Sequence, residues 1–370
     1  MKIGGYIMQN FIAIIDIYHE ESIRSAYPAS HHKIFGVRVI DYMLRALMQA
    51  TAQKIFVLVE KAEYCHYLDD AIAPVICKGR GNTSVEDIVQ DYGQDAICLV
   101  LSGAMMVDAM DIASALRYAM QTSTKVLNIE DAEGFDTGLI IENRVSLARA
   151  TKLVQTRINN GHMYNGVTMI NPDATYIAPD VKIGMDTIIY PNVTIEGDTT
   201  IGANCLIGQN CRILNMKIGD GVEIWDSTCV ESEIGDGTSV GPYAYLRPNS
   251  VIGKKCKIGD FVEIKNATMG DGSKASHLGY IGDAIIGKNV NFGCGAITVN
   301  YDGKCKSQTV VEDNAFIGSN SNLVAPVRVC EGAYVAAGST ITKEVPCDAL
   351  AVARSRQENK EGWVSKRRGK

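Results

Sequence analysis

One of the chain's six histidines, His277, lies in "SKASHLGYIGDA" (Ser273–Ala284), inside a long run of isoleucine–glycine repeats, with Tyr280 three residues on. Imidazole titrates near pH ~6.5, so a histidine held outward there is a candidate general base, set against the plainer reading of an ordinary surface residue. Arg247 and Lys265 each follow an aliphatic residue and stand 265 − 247 = 18 apart. Stacked about 5 Å apart, two like charges repel, and an anion between them would resolve this; two solvated surface cations is the competing reading. "TVNYDGKCKSQ" (Thr298–Gln308) breaks the repeat and carries Asn300, Tyr301 and Lys306. It reads as an ejected functional loop or as a neutral insertion. Arg354–Lys370 holds seven Lys/Arg against two Glu, a balance of 7 − 2 = +5 in a chain of net charge −6. Such a tail suits an anionic ligand or simply a solubilising terminus.

The elements that must position these residues fall into two halves. From about 11 to 142, "FIAIIDI", "KIFVLVE" and "DAICLVLS" read as buried strands, while "VIDYMLRALMQA" and "AMDIASALRYAM" have helical spacing. That alternation predicts a parallel α/β sheet. Residues 143–165 read as a basic connector helix. From Ile177 an aliphatic residue recurs every six: Ile183, Ile189, Ile195, Ile201, Ile207 and Ile213. After a slip it resumes at Ile218, Ile224 and Val230, then runs from Ile234 to Ile264. The residue four positions after each is usually small, as at Val181, Thr187, Cys205, Cys211 and Cys256. This pattern predicts a parallel β-helix of about nine three-sided coils ending near Val345, with both positions facing inward. On that register Tyr280 comes near one coil above Lys265, and the cations and the His–Tyr pair converge on one edge.

Composition excludes several classes. The net charge gives no reason to expect nucleic acid, and no apolar run reaches the roughly 20 residues of a membrane helix. Eleven cysteines with no CxxC pair argue against a disulfide framework and favour a reducing, cytoplasmic setting. A histidine-ligated zinc site on the coils is excluded, because only His277 lies within them.

Taken together, "GPYAYLRP", "GDFVEIKNA", "KASHLGYIGDA", "GKNVNFGCGAITVNYDGK", "FIGSNSNLVAPV" and "ALAVARSRQENKEGW" resemble the acetyltransferase half of the bifunctional UDP-N-acetylglucosamine pyrophosphorylase/glucosamine-1-phosphate N-acetyltransferase family. The resemblance runs from Asn143 to about Trp363. It implies a left-handed β-helix and a homotrimer with sites between subunits. It further implies acetyl-CoA-dependent N-acetylation of glucosamine 1-phosphate in UDP-N-acetylglucosamine and peptidoglycan-precursor synthesis, with no metal needed for the transfer. His277 would be the base, and Arg247, Lys265, Tyr280, Asn291 and Lys306 would hold the sugar phosphate. Asn300, Tyr301, Ser319, Ala337 and Arg354 would line the acetyl-CoA site with the backbone at Cys294, where the family carries alanine.

The front half resembles that family's uridylyltransferase but departs from it. No glycine lies between Gly5 and Gly36, where the family's glycine-rich phosphate loop belongs. Ala104 in "LSGAMMV" stands at the metal carboxylate, and Glu142 at a metal-side asparagine. Fewer than forty residues between them must serve as the sugar-nucleotide subdomain. The expectation is a degenerate nucleotidyltransferase-like domain (1–142), the connector, a β-helix domain (166–345) and a basic tail (346–370). The alternatives are a chain that also makes UDP-N-acetylglucosamine from UTP, an acyltransferase for another amino sugar phosphate, and a scaffold whose front domain is a binding module.

Overall fold

The computed structural model describes residues 2–3, 6–7, 10–17, 23, 28–59, 75–79, 83–93 and 95–369. They form two compact units that divide between Ile158 and Asn159. The first unit centres on a five-stranded parallel sheet. Its strands are β1 (Phe11–Asp16), β2 (Lys54–Val59), β3 (Val75–Gly79), β4 (Ile97–Ser102) and β5 (Val126–Asn128), in the order β3-β2-β1-β4-β5. Alternation along β1 decides which layer each side chain joins. Phe11, Ala13 and Ile15 enter the larger core with α1 (Val39–Gln49) and α3 (Ala109–Thr122). Ile12 and Ile14 enter a smaller core with Ile88 of α2 (Val85–Tyr92) on the other face. A parallel sheet covered on both faces explains why its strands read as unbroken apolar runs. Capping boxes, Ser84 with Asp87 and Asp108 with Asp111, satisfy the first N–H groups of α2 and α3.

The three strands and two helices expected in this half are all present. β3, α2 and β5 are additional. Much of the stretch where a phosphate loop was sought, residues 18–22 and 24–27, lies outside the described residues. Ala104 is buried, its carbonyl accepting the Ile141 N–H. Cys77 departs from the reduced-cysteine expectation, because it is disulfide-bonded; the nine other cysteines among the described residues are free. The expected connector is α4 (Arg144–Tyr164), capped by Asn143, whose Oδ1 accepts from the Val145 and Ser146 N–H groups. Ala150 and Val154 of α4 join the first unit's core.

The second unit is a left-handed parallel β-helix. Short strands stack on three faces, and the third, from Lys182–Ile183 to Val327–Val329, has nine of them. Each residue pairs with its counterpart one coil later, as in Ile189 with Ile207 and Ile195 with Ile213. The slip appears as Ile201 pairing with Ile218, a step of seventeen. The inward readings hold: Ile177, Ile189, Ile207, Val181, Thr187, Cys205, Cys211 and Cys256 are buried. One is corrected. Cys229, not Val230, pairs with Ile213 and Leu246 and takes the interior slot, because a second five-residue step, from Ile224 to Cys229, follows the slip. A fully buried isoleucine contributes about 1.5–3 kcal/mol, so the repeated column is the main source of this unit's stability. The interior hydroxyls are satisfied between coils. Thr187 Oγ1 donates to the Gly202 carbonyl and accepts the Cys205 N–H.

Two strands depart from the pattern. β6 (Lys257–Lys265) and β7 (Lys274–Gly282) run through a corner without a break, joining first face to second. The expected loop also begins later than the sequence suggested. Ile297–Val299 is a regular strand and Thr298 is buried; the chain leaves the coil at Asn300 and rejoins it at Thr309.

Candidate active site

Because β6 and β7 pair in register through the corner, Asp260 lies directly beneath His277. His277 Nδ1 and Asp260 Oδ1 are 2.7 Å apart. An ionised carboxylate only accepts hydrogen bonds, so Nδ1 carries the proton and Nε2 of the neutral ring is left with its lone pair. The hydrogen bond from His277 holds the Asp260 carboxyl below the usual carboxylate range. The next residues up the coils follow from the pairing of Ala275 with Phe292, Ile317 and Val335 in turn. Two positions further along, Cys294, Ser319 and Ala337 form one exposed column continuing from His277. The Arg354 side chain lies alongside it, its Cδ 4.0 Å from where a Cβ on Gly338 would sit.

Beside this column runs another, at the corner position with left-handed backbone. Most coils fill that position with Asn, Asp or Gly, such as Asn192, Asn210 and Asp226 before, and Gly295, Asn320 and Gly338 after. Three consecutive coils instead place Tyr243, Phe261 and Leu278 there, at φ 58°, 58° and 25°. All three are exposed (60%, 58% and 56%), and the Tyr243 and Phe261 rings stack with centroids 5.5 Å apart. Large side chains in a strained conformation and facing outward are not a packing requirement of the coil itself.

At the other end of the second face lies the cation cluster. Leu246 pairs with Ile264, so Arg247 and Lys265 stack on adjacent coils as the spacing predicted. The repulsion expected between them is answered in part by Glu263, whose Oε1 accepts from Arg247 Nη1 at 2.7 Å and raises the arginine's pKa. Lys306 of the ejected loop meets Lys265, and the Lys265 ammonium holds Lys306 below the ordinary lysine range. Asp283 sits against both lysines. Burial pushes its carboxyl up, but hydrogen bonds from Asn266 and Asn300 and the two ammonium groups bring it below the usual range. Asn300 Nδ2 also approaches the Tyr280 hydroxyl at 3.5 Å. Gly282 leaves room for the Tyr280 ring, since a Cβ on it would lie 2.3 Å from that hydroxyl oxygen and displace it.

Three placements differ from the sequence reading. Tyr280 pairs with Glu263, not Lys265, whose partner is Gly282. The base and the cations do not share one edge: β7 bends at Leu278, leaving His277 on the corner and Tyr280 on the second face with the cluster. Asn300 joins the cation cluster, apart from the Cys294–Ser319–Ala337 column. Asn291 lies on the first face between Lys274 and Phe316. Tyr301 stays in the loop, its hydroxyl donating to the Gly303 carbonyl. Asp260, Glu263 and Asp283 were not singled out in the sequence. A step of 277 − 260 = 17, the coil length set by the five-residue step from Ile264 to Met269, is the signal that finds Asp260.

A three-sided coil built on a six-residue repeat, with its interior filled by aliphatic and small residues, defines a class. The bacterial transferase hexapeptide (six repeats) family profile matches residues 180–215, 231–266 and 308–343. Among curated relatives, the bifunctional protein GlmU of Clostridioides difficile is 50% identical over 80% of this chain and 66% of its own length. Those of Alkaliphilus metalliredigens and Clostridium beijerinckii are 54% and 56% identical, over 69% and 61% of this chain and 56% and 50% of theirs. The chain belongs to the GlmU family, and it spans between half and two thirds of the length of these relatives. Solved structures with a similar course include the Francisella novicida UDP-N-acetylglucosamine acyltransferase. It is 19% identical, with a TM-score of 0.36, over 55% of this chain and 74% of that one.

Proposed function

We propose that the second unit transfers the acetyl group of acetyl-CoA to the amino group of glucosamine 1-phosphate. The observation that carries this reading is the Asp260–His277 pair, a base oriented by a carboxylate and open to solvent on a corner of the coil. The ammonium form of the sugar first gives a proton to solvent. The amine then attacks the thioester carbonyl, and Nε2 of His277 takes the proton that attack makes acidic. Collapse of the tetrahedral adduct expels the CoA thiolate, which takes up that proton. The Cys294 N–H would stabilise the oxyanion, since the neighbouring Gly293 and Gly295 N–H groups are engaged between coils, and a cysteine side chain there leaves that role intact. Arg247, Lys265 and Lys306 hold the phosphate, with guanidinium offering paired donors. Ser319, Ala337 and Arg354 line the pantetheine and phosphate path of acetyl-CoA, with Tyr301 at its margin, and Asn291 adds to the sugar-phosphate site. The thioester is already activated, so the transfer needs no metal.

We further propose that three copies assemble. Base and cations occupy opposite ends of the second face in one chain, and a first corner from one copy meeting a second corner from another completes the site. The exposed column Tyr243–Phe261–Leu278, next to His277, is the surface such a contact covers.

The first unit, residues 1–142, is read as having lost uridylyl transfer, with 143–165 a connector, 166–345 the catalytic β-helix and 346–370 a basic tail. Buried Ala104 offers no ligand where a metal carboxylate belongs, and few residues separate it from Glu142. One experiment tests both halves. Purified protein is given acetyl-CoA with glucosamine 1-phosphate, and separately UTP, Mg²⁺ and N-acetylglucosamine 1-phosphate, with products read by mass spectrometry. Acetylated sugar phosphate in the first arm and no pyrophosphate in the second is expected. Acetylation only of a different amino sugar phosphate would refute the substrate; pyrophosphate release would refute the loss.

A further inference from the structure

The third corner of the last coils gathers two thiols and a carboxylate. Val311 pairs with Val329, and Val329 bridges to Val345, so the residues that follow, Glu312, Cys330 and Pro346, stack on successive coils. Cys347 comes next in the chain. The two Sγ atoms and a Glu312 carboxylate oxygen all lie within 4.8 Å of one another. These cysteines are unlike Cys205, Cys211 and Cys256, which fill the small interior slot. Burial pushes the Cys211 thiol up to about 11, as befits an inert packing residue. Cys330 follows the interior Val329 and so sits at the corner outside the small interior slot, buried there beside the exposed Cys347. None of the three takes part in the transfer proposed above.

We propose that this corner binds a thiophilic divalent cation of the zinc type, with Cys330, Cys347 and Glu312 as its three protein ligands. Two thiolates with one carboxylate form a borderline-soft donor set, suited to zinc and poorly suited to magnesium or calcium, which take oxygen ligands. Zn–S bonds of about 2.3 Å in a tetrahedron put ligand atoms about 3.8 Å apart, so closing the site needs side-chain rotation with no shift of the coils. The Glu331 N–H donates to Glu312 Oε2 at 2.9 Å and fixes that carboxylate from behind. Arg328 is the competitor. Its guanidinium pairs with the other Glu312 oxygen, supplying the positive charge that a dication replaces. A bound ion joins three successive turns of chain where the solenoid ends and no further coil covers it.

The test is a titration of the reduced, full-length chain with Cd(II), followed by thiolate-to-metal absorption in the near ultraviolet, with Zn(II) added as competitor. Saturation at one ion per chain and displacement by Zn(II) are expected. Cys347→Ser, at an exposed position, abolishes the band, as does Cys330→Ser. Glu312→Gln weakens binding by at least the roughly 10-fold that loss of even an outer partner costs. Arg328→Ala tightens it. Cys305→Ser, in the ejected loop, leaves the band unchanged. A reduced wild-type chain without a saturating band overturns the site, as does a band that survives Cys347→Ser or disappears with Cys305→Ser.

Discussion

The two units position chemistry by different means. The first is a doubly covered parallel sheet, and such a fold presents a ligand on the loops beyond the carboxyl ends of its strands. There β4 passes into Gly103 and the buried Ala104, and the chain returns beside it, Met105 bridging to Ile140 and the Ile141 N–H donating to the Ala104 carbonyl. In the second unit no long loop is needed to bring distant residues together. Residues one coil apart in sequence are neighbours in space, so Asp260, His277, Cys294, Ser319 and Ala337 follow one another along a single corner. A site on a sheet depends on the loops that follow its strands, whereas a solenoid keeps its site for as long as its coils keep register.

Substitutions along the corner put this contrast to the test. His277→Ala removes the base, and acetyl transfer should fall by about 10²–10⁴-fold with the chain still folded and assembled. Turnover near that of the parent protein would end the mechanism. Asp260→Ala frees the imidazole to rotate and change tautomer, and kcat should drop about 10- to 100-fold with KM little changed. Asp260→Asn keeps an acceptor without charge, so its smaller loss separates orientation from electrostatics.

A gentler probe uses pH. Lys306 is held below the ordinary lysine range by Lys265, so it loses its charge earlier as pH rises. KM for the sugar phosphate should therefore climb at a pH below the usual lysine value of about 10.4, and Lys306→Arg should flatten that climb. A pH profile that is the same for both proteins would remove Lys306 from phosphate binding. The smallest expected effect is on stability. Phe261→Asn should relieve about 1 kcal/mol of left-handed backbone strain in the isolated chain. The same change should weaken self-association, seen as a lower mass in analytical ultracentrifugation; a variant that is less stable yet still assembled would reverse the role given to that column.

Much of the β-helix was legible because its inward positions repeat along the sequence, and burial of Ile, Val and small residues there is decided coil by coil. Corner residues answer to no such rule. Asp260 could be matched to His277 only by knowing that the five-residue step from Ile264 to Met269 shortens that coil to seventeen residues. Tyr280 was placed a little wrongly because the bend at Leu278 leaves no mark in the hydrophobic pattern. In the first unit, β1, β2 and β4 declared themselves as buried apolar runs. The short edge strands β3 and β5 did not, because three to five half-covered residues resemble a loop. Cys77 gave no sign of its disulfide, since spacing alone does not reveal pairing.

The ejected segment shows how such a scaffold accommodates change. Ala284 pairs with Thr309, twenty-five residues on, whereas Thr309 pairs with Val327 only eighteen further. The surplus is set outside the coil, closed at its base by the Ser307 N–H on the Asn300 carbonyl, and the stacking above and below it continues. Closing a longer flexible loop costs little, about 0.6 kcal/mol per doubling of length. The segment that carries Lys306 to the cation cluster can therefore be lengthened, shortened or exchanged as a cassette. Substrate choice could then drift in descendants of this chain while every coil beneath stays as it is.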